Sequence, residues 1–320
     1  MSAKTLLIGT GQMAEDYANV LISQNVDFDV IGRGEEKSRQ FSIKTGIKAI
    51  AGGVEKQLSH NHSYANAIVA TGIDELPNVC ASLLSKNVRR ILLEKPGALE
   101  ISTLKRIAKQ TRQRNAEVYI GYNRRFYSSV LRAKQLIEND GGVSSVICEF
   151  TEVERTLDIG SRSQSILDNW IISNSSHVID LMIYFAGFPQ NFKIWRSGSK
   201  HWHRTGSAFS SSGSTETGCL FSCFANWNGP GRWSLEVISS KHRFIFRPLE
   251  TLQILKIGQF DISEVNEPSS VDVEFKPGIF LQTQKFLSSE TKDFCSIDEQ
   301  ARNLNFYNAL GDYVDAGSKS

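Results

Sequence analysis

Two residues in this 320-residue chain pair a titratable side chain with a position that aims it at a reacting atom. Lys95 follows Glu94 at the end of the apolar run Ile91-Leu92-Leu93 and precedes Pro96-Gly97. An ammonium at the carboxyl end of a buried strand can donate to a substrate oxygen and stabilise negative charge developing there. Partial burial would lower its pKa and let it exchange a proton near neutrality. Pro96 favours an extended backbone at Lys95, which turns the side chain outward from the strand end. The plainer alternative is a lysine on a surface turn. His177 is the second residue. Asn174, His177 and Asp180 recur every third position, which at a helix start puts them on one face. An imidazole between an amide and a carboxylate can take a hydroxyl proton or return it, with Asp180 fixing the ring or binding a hydroxyl. Its alternative is a helix-capping histidine with Asp180 turned toward the core.

The elements that must position these residues begin at the N-terminus. The apolar run Thr5-Leu6-Leu7-Ile8 enters Gly9-Thr10-Gly11-Gln12-Met13-Ala14, and a helical pattern follows through Leu21. A buried strand, a tight glycine turn and a helix start, in that order, give G-x-G-x-x-A the context it requires as a dinucleotide site. The unpaired N–H groups and positive dipole end of the helix then face a pyrophosphate. The alternative is an ordinary glycine-containing turn. Further strands are expected at 27–31, 47–51, 67–70, 90–93 and 118–120. Helices are expected at 35–44, 76–86 and 102–114, with Pro77 in a first turn and Ser102 as an N-cap. Alternation of this kind means a doubly wound parallel sheet of Rossmann type. Thr71-Gly72 closes the fourth strand, and Glu94-Lys95 closes the fifth beside the position of a nicotinamide.

After residue 121 the pattern changes. A helix at 128–138 ends at Asp140-Gly141-Gly142, and a second is expected at 175–186. β-prone runs follow at 145–153, 192–196, 218–226, 233–239, 242–247 and 251–256, with helices near 280–287 and 297–314. The expected organisation is a dinucleotide-binding domain over 1–121 and an α+β domain with a mostly antiparallel sheet over 122–320. The serine-rich stretch 207–217 is expected to be a mobile loop. The crevice outside the strand ends is the default ligand site.

Lys and Arg number 36 against 34 Asp and Glu, a net charge of +2, which argues against a nucleic-acid-binding surface. The basic stretch 105–114 reads as the solvated face of a helix. Cysteines at 80, 148, 219, 223 and 295 lack the spacing of a disulfide framework and fit free thiols. Cys219 and Cys223 with His201 and His203 make a zinc site conceivable, but two buried strand cysteines and a solvent-exposed His-Trp-His loop are the simpler reading, and no metal is expected. No basic region leads a long apolar segment and no window suits a membrane span, so a cytoplasmic protein is the default expectation.

Taken with Gly121-Tyr122-Asn123-Arg124-Arg125-Phe126 after the sixth strand and His177-Val178-Ile179-Asp180 beyond it, the glycine turn and Glu94-Lys95-Pro96 resemble the Gfo/Idh/MocA family of oxidoreductases. The order and spacing of the four elements match over nearly the whole chain. The resemblance implies a nicotinamide cofactor, a sugar-like or polyol substrate, and Lys95 and His177 as active-site residues. On this reading Gly9, Thr10, Gly11, Gln12, Met13, Arg33, Thr71, Glu94 and Asn123 line the cofactor. Tyr122, Arg125, Asn174 and Asp180 are candidate substrate contacts, and the second-domain sheet is a candidate homo-oligomer surface. Three departures stand out. Ser173 occupies the place of a common family aspartate, so either the proton relay is altered or another carboxylate, such as Glu152 or Asp168, replaces it. Gly72 to Leu76 lack the family's proline and histidine, and Asn174-Ser175-Ser176 is polar where glycine is common.

NADP is favoured over NAD. Asp29 comes too early in the second strand to bind ribose hydroxyls, and the strand ends at Gly32-Arg33-Gly34 with Lys37 and Arg39 beyond. An arginine there can take a 2′-phosphate bidentately. Glu35 and Glu36 argue the other way. No tyrosine has a lysine four residues on, and no G-x-S-x-G occurs, which disfavours short-chain dehydrogenases and α/β-hydrolases. The competing functional class is a non-catalytic NAD(P)-binding sensor or assembly protein.

Overall fold

Short apolar runs without alternation suit strands buried on both faces, and they pair in parallel here. The computed structural model describes residues 4–58, 64–265 and 269–313. In the first half β1 (Thr5–Ile8), α1 (Gln12–Ser23), β2 (Phe28–Gly32), α2 (Glu35–Thr45), β3 (Ala49–Ala51) and α3 (Gly53–Gln57) are followed by β4 (Asn66–Val69), α4 (Leu76–Ser85), β5 (Arg90–Glu94), α5 (Ile101–Gln113) and β6 (Glu117–Gly121). These strands lie in the order β6-β5-β4-β1-β2-β3, all parallel, with Leu7 in register with Val30 on one side and Ile68 on the other. The chain winds outward from β1 in both directions, so the β1–β4 junction is the switch point of a Rossmann sheet. Leu6, Leu7, Ile68, Leu92 and Leu93 are wholly buried, and Ala14, Tyr17 and Leu21 fix α1 against the sheet.

The second half contributes α6 (Ser128–Asn139), β7 (Ser145–Glu149), α7 (Gln164–Asp168), a π-helical turn (Ile171–Ser175) and α8 (Ser176–Ala186). Then come β8 (Pro189–Ser197), β9 (Ala208–Thr215), β10 (Leu220–Asn226), β11 (Ser234–Ile238), β12 (His242–Phe246), β13 (Gln253–Lys256), β14 (Ser263–Glu264) and α9 (Ser270–Glu274). Eight strands form one sheet, β14-β13-β12-β11-β7-β10-β9-β8, antiparallel except where β7 meets β10. Alternation sorts its faces. Cys148, Phe221, Cys223, Leu235 and Val237 are buried on the face that α8 covers, where Cys223 Sγ lies 3.1 Å from Met182 Sδ. Ile147, Leu220, Phe224 and Trp195 stay exposed.

The tail carries α10 (Ile279–Leu287), β15 (Cys295–Ser296) and α11 (Ile297–Gly311). Among the described residues, 274–302 fold with the chain up to 123 as one compact unit, while 124–273 and 303–313 form another. Within the first unit α10 packs on α1, and β15 adds an antiparallel strand to β6 with Cys295 opposite Ile120.

Several expectations are corrected. The serine-rich stretch is strand β9, paired along its length with β8 and β10, because neighbours on both sides override weak strand propensity. A Cβ on Gly213 would lie 2.0 Å from the Asn191 carbonyl oxygen, at the bulge between β8 and β9, so this glycine lets the strands approach. The His-Trp-His loop is not solvent-exposed as a whole. Trp202 and His203 are buried, the indole stacked on Trp227 at 5.4 Å, and only His201 faces outward. Residue Ser102 lies inside α5, whose N-cap is the extended Glu100. The last helix stops at Gly311, and its expected end at Val314 lies outside the described residues.

Candidate active site

Gly9 ends β1 at φ 125°, and a Cβ there would sit 2.2 Å from the Ala70 carbonyl oxygen. Only glycine allows this backbone and this contact with the end of β4. Gly11 is different. It is the extended N-cap of α1 at φ −95°, it makes no side-chain cap, and open space surrounds the place of its Cβ. The first-turn N–H groups of α1 thus open onto room, as a phosphate requires. Thr10 packs its methyl over Gly32, whose own Cβ would meet it at 2.7 Å. Gln12 bonds Asp16 at 3.1 Å, and the Met13 sulfur lies against Lys276. Thr71, beyond β4, holds a buried hydroxyl with no hydrogen-bond partner. This cradle fits a pyrophosphate.

Near the start of β2, Asp29 is tied to Lys4 at 2.9 Å and to the Tyr64 hydroxyl at 2.5 Å. Arg33 extends with 79% of its side chain exposed and bonds Glu75 Oε1 at 2.6 Å. Arg39, the other arginine of this region, is bound to Glu36 at 2.9 Å. Arg33 therefore offers the accessible guanidinium, held by an acid at the surface.

Glu94 is buried at the end of β5 and accepts a 2.8 Å hydrogen bond from the Tyr17 hydroxyl of α1. Burial raises its carboxyl pKa, opposed by the Tyr17 bond and by the charges of Lys95 and Lys276. The Tyr17 oxygen lies 3.0 Å from Gln282 Oε1, and burial together with Glu94 pushes its phenol well up. Gly121 leaves room for this cluster, since a Cβ there would lie 3.1 Å from Glu94 Oε1. Lys95 is half-buried. The turn after it is braced by Gln300, whose Nε2 donates to the Pro96 carbonyl at 3.0 Å. Tyr122 is 1% exposed with its hydroxyl 3.2 Å from Gln300 Oε1, and Asn123 Nδ2 donates to the Pro277 carbonyl at 2.9 Å. Gln282 and Gln300 come from the tail, and no sequence signal marked them.

In the second unit the π-turn brings Asn174 and Ser175 onto Glu152. Asn174 Nδ2 donates to Glu152 Oε1 at 2.9 Å and Ser175 Oγ at 2.6 Å. Burial raises the Glu152 carboxyl, opposed by these two donors. Its amide nitrogen so committed, Asn174 is turned to present Oδ1 elsewhere. Of the two carboxylates considered for the place left by Ser173, Glu152 is the one this turn hydrogen-bonds. Asp168 is exposed and bonds Gln164 at 2.9 Å. Ser173 itself donates to the Ile166 carbonyl at 3.1 Å.

His177 is in the first turn of α8, 9% exposed, its ring centroid 6.2 Å from that of Trp233. The Arg124 guanidinium lies over Trp233 at 4.9 Å. Arg125 and Asp180 are bound to each other, Nε to Oδ2 at 2.8 Å and Nη2 to Oδ1 at 2.6 Å. Both are almost wholly buried. The triplet read as one helix face is thus divided: Asn174 serves the π-turn, and Asp180 faces Arg125.

Residues 3–122 match the sequence model of the family Gfo/Idh/MocA, described as an oxidoreductase family with an NAD-binding Rossmann fold. No protein of curated function matches the chain by sequence. Among solved structures, an oxidoreductase from Agrobacterium radiobacter in complex with NAD+, L-tartaric acid and magnesium superimposes with a TM-score of 0.79 at 12% identity, covering 99% of this chain and 97% of that one. UDP-N-acetylglucosamine 3-dehydrogenase from Acidithiobacillus ferrooxidans gives 0.76 at 16% identity, covering 98% of each chain. A levoglucosan dehydrogenase in complex with NADH and L-sorbose gives 0.77 at 13%, covering 97% of this chain and 96% of that one. At these identities the likeness establishes the two-part fold. Among the described residues, no helix is long and apolar enough to cross a membrane. Over residues 3–122 the chain is therefore similar in sequence to the NAD-binding Rossmann part of the Gfo/Idh/MocA oxidoreductases.

Proposed function

We propose that the protein is an NADP-preferring dehydrogenase or reductase acting on a hydroxyl or carbonyl carbon of a sugar-like or polyol substrate. The observation that carries this reading is the end of β5, where a buried Glu94 locked to Tyr17 is followed directly by a half-buried Lys95 on a braced turn. When bound, the nicotinamide supplies the hydride acceptor or donor. Gly9, Thr10, Gly11, Gln12 and Met13 would hold the pyrophosphate, with Thr71, Glu94 and Asn123 beyond it. Arg33 would take the 2′-phosphate once released from Glu75.

Lys95 would hold the substrate oxygen and stabilise its charge, and His177 would take or return the hydroxyl proton. Asn174 Oδ1, oriented by Glu152, would accept a substrate hydroxyl. Arg125 and Asp180 would act by stiffening α8 behind His177, and Tyr122 by bracing the Lys95 turn. Sugar dehydrogenases among proteins of the same fold support the substrate class. The exposed Ile147, Leu220, Phe224 and Trp195 support the sheet's outer face as the surface that meets a second copy of the chain.

The test is a screen of polyols with NADP+ and of keto-sugars with NADPH, followed at the nicotinamide absorbance. Turnover is expected with at least one compound, falling by about 10²-fold or more in Lys95→Ala and His177→Ala. Tight cofactor binding without turnover on any compound would favour the sensor reading instead.

A further inference from the structure

Lys276 belongs to Glu274-Phe275-Lys276-Pro277-Gly278, which repeats the Lys-Pro-Gly of residues 95–97 at the point where the tail rejoins the first unit. The segment is held on both flanks. Asn123 Nδ2 donates to the Pro277 carbonyl at 2.9 Å, Gly278 starts α10 at φ 78°, and Gln24 Nε2 of α1 donates to the Phe280 carbonyl at 3.0 Å. Its lysine therefore arrives at a fixed place. Nζ lies 3.5 Å from Asp16 Oδ2 and against the Met13 sulfur, and its charge lowers the carboxyl pKa of Glu94. The cation stands against the first turns of α1. With 43% of its side chain exposed, its pair with Asp16 is a surface contact of small worth, cheaply exchanged.

We infer that Lys276 is a cofactor-binding residue that leaves Asp16 to contact the pyrophosphate of the dinucleotide. The inference rests on the reading that a nicotinamide dinucleotide occupies the Gly9–Met13 turn. The two facts that point to a diphosphate are on one side the uncapped N-terminus of α1 over open space at Gly11, and on the other the buried Thr71 hydroxyl without a partner at the neighbouring strand end. Amide groups and a hydroxyl supply directional bonds but no full positive charge. The Lys276 ammonium from the tail supplies that charge. Being on residues 274–278, that ammonium also makes cofactor affinity depend on the tail's seat against α1.

The experiment is calorimetric titration of the full chain and of Lys276→Met and Lys276→Arg. The ligands are NADPH, 2′-phospho-ADP-ribose (pyrophosphate without nicotinamide) and 2′-AMP (no pyrophosphate). Lys276→Met should weaken NADPH and 2′-phospho-ADP-ribose about tenfold each, the scale of one charge-assisted contact at a partly exposed site, and change 2′-AMP less than about twofold. Lys276→Arg should restore most of the loss, and the salt dependence of NADPH binding should be shallower in the methionine variant. Unchanged affinity for 2′-phospho-ADP-ribose in Lys276→Met, with wild-type binding intact, overturns the assignment alone. Equal weakening of 2′-AMP also overturns it. Failure of the wild type to bind NADPH or 2′-phospho-ADP-ribose overturns both it and the reading beneath it.

Discussion

Replacing Asp180 by Asn should cost fold stability before it costs affinity for any substrate. Arg125 and Asp180 share two hydrogen bonds of 2.8 and 2.6 Å with side-chain exposures of 3% and 1%. Removing the negative partner leaves a guanidinium in the interior. It also leaves it over the Tyr184 ring, 5.0 Å from the centroid, where the Lys134 ammonium already sits at 4.8 Å. Breaking a buried pair from one side costs about 3–5 kcal/mol. In a unit of this size each kcal/mol moves Tm by about 2–4 °C, so Asp180→Asn should melt roughly 6–20 °C below wild type. Arg125→Met should fall within the same range. The double variant Arg125→Met/Asp180→Leu should recover most of the loss, because replacing both charges by apolar groups removes the desolvation cost as well. Thermal and urea denaturation of the four proteins close the cycle. An Asp180→Asn protein melting within about 2 °C of wild type while its KM rises would refute the reasoning, because the carboxylate would then be serving substrate and not Arg125.

Arg33→Ala should weaken NADPH by about tenfold or more and NADH by less than about twofold, while Glu75→Gln should tighten NADPH a few-fold by freeing the guanidinium; fluorescence titration reads both. Gly9→Ala and Gly11→Ala should part company. The first forces a Cβ to 2.2 Å from a backbone oxygen and should lower Tm together with cofactor affinity, whereas the second meets open space and should keep Tm while losing affinity. Glu152 titrates above its ordinary value of 4.5 because it is buried. The folded chain thus binds more protons than the unfolded one above that pH, and this contribution to stability, complete below 4.5, is lost as pH rises through the folded value. The Tm of Glu152→Gln minus that of wild type should become more positive from pH 4.5 to pH 7, and a difference independent of pH would contradict the assignment.

Features fixed by neighbours in sequence were legible without coordinates. The strand, the glycine turn and α1 are one local unit, so Gly9 and Gly11 could be read at once, and a lysine after an apolar strand could be placed at a sheet's carboxyl edge. Features fixed by distant pairing were not. The serines of β9 carry no strand signal of their own and are held by β8 and β10. Trp202 and His203 look like a polar loop until Trp227, Phe209 and Tyr313 surround them. Asp180 has the spacing of a partner for His177, yet Arg125, 55 residues upstream, takes its carboxylate. Gln282 and Gln300 sit in ordinary amphipathic helices, and only the return of the tail to the first unit brings them to Tyr17 and Pro96. Glu152 was legible as one of two candidates, and the π-turn, which helical spacing does not announce, separates it from Asp168.

Hydrogen exchange with and without saturating NADPH tests the central claim most directly. Occupation of the switch point of the parallel sheet predicts slowed exchange at the backbone amides of the first turn of α1, at Thr71-Gly72 and at the Lys95–Gly97 turn, with the outer strands of the eight-stranded sheet unchanged. Protection confined to the second unit, or none at any amide under saturating NADPH and NADH, would contradict it.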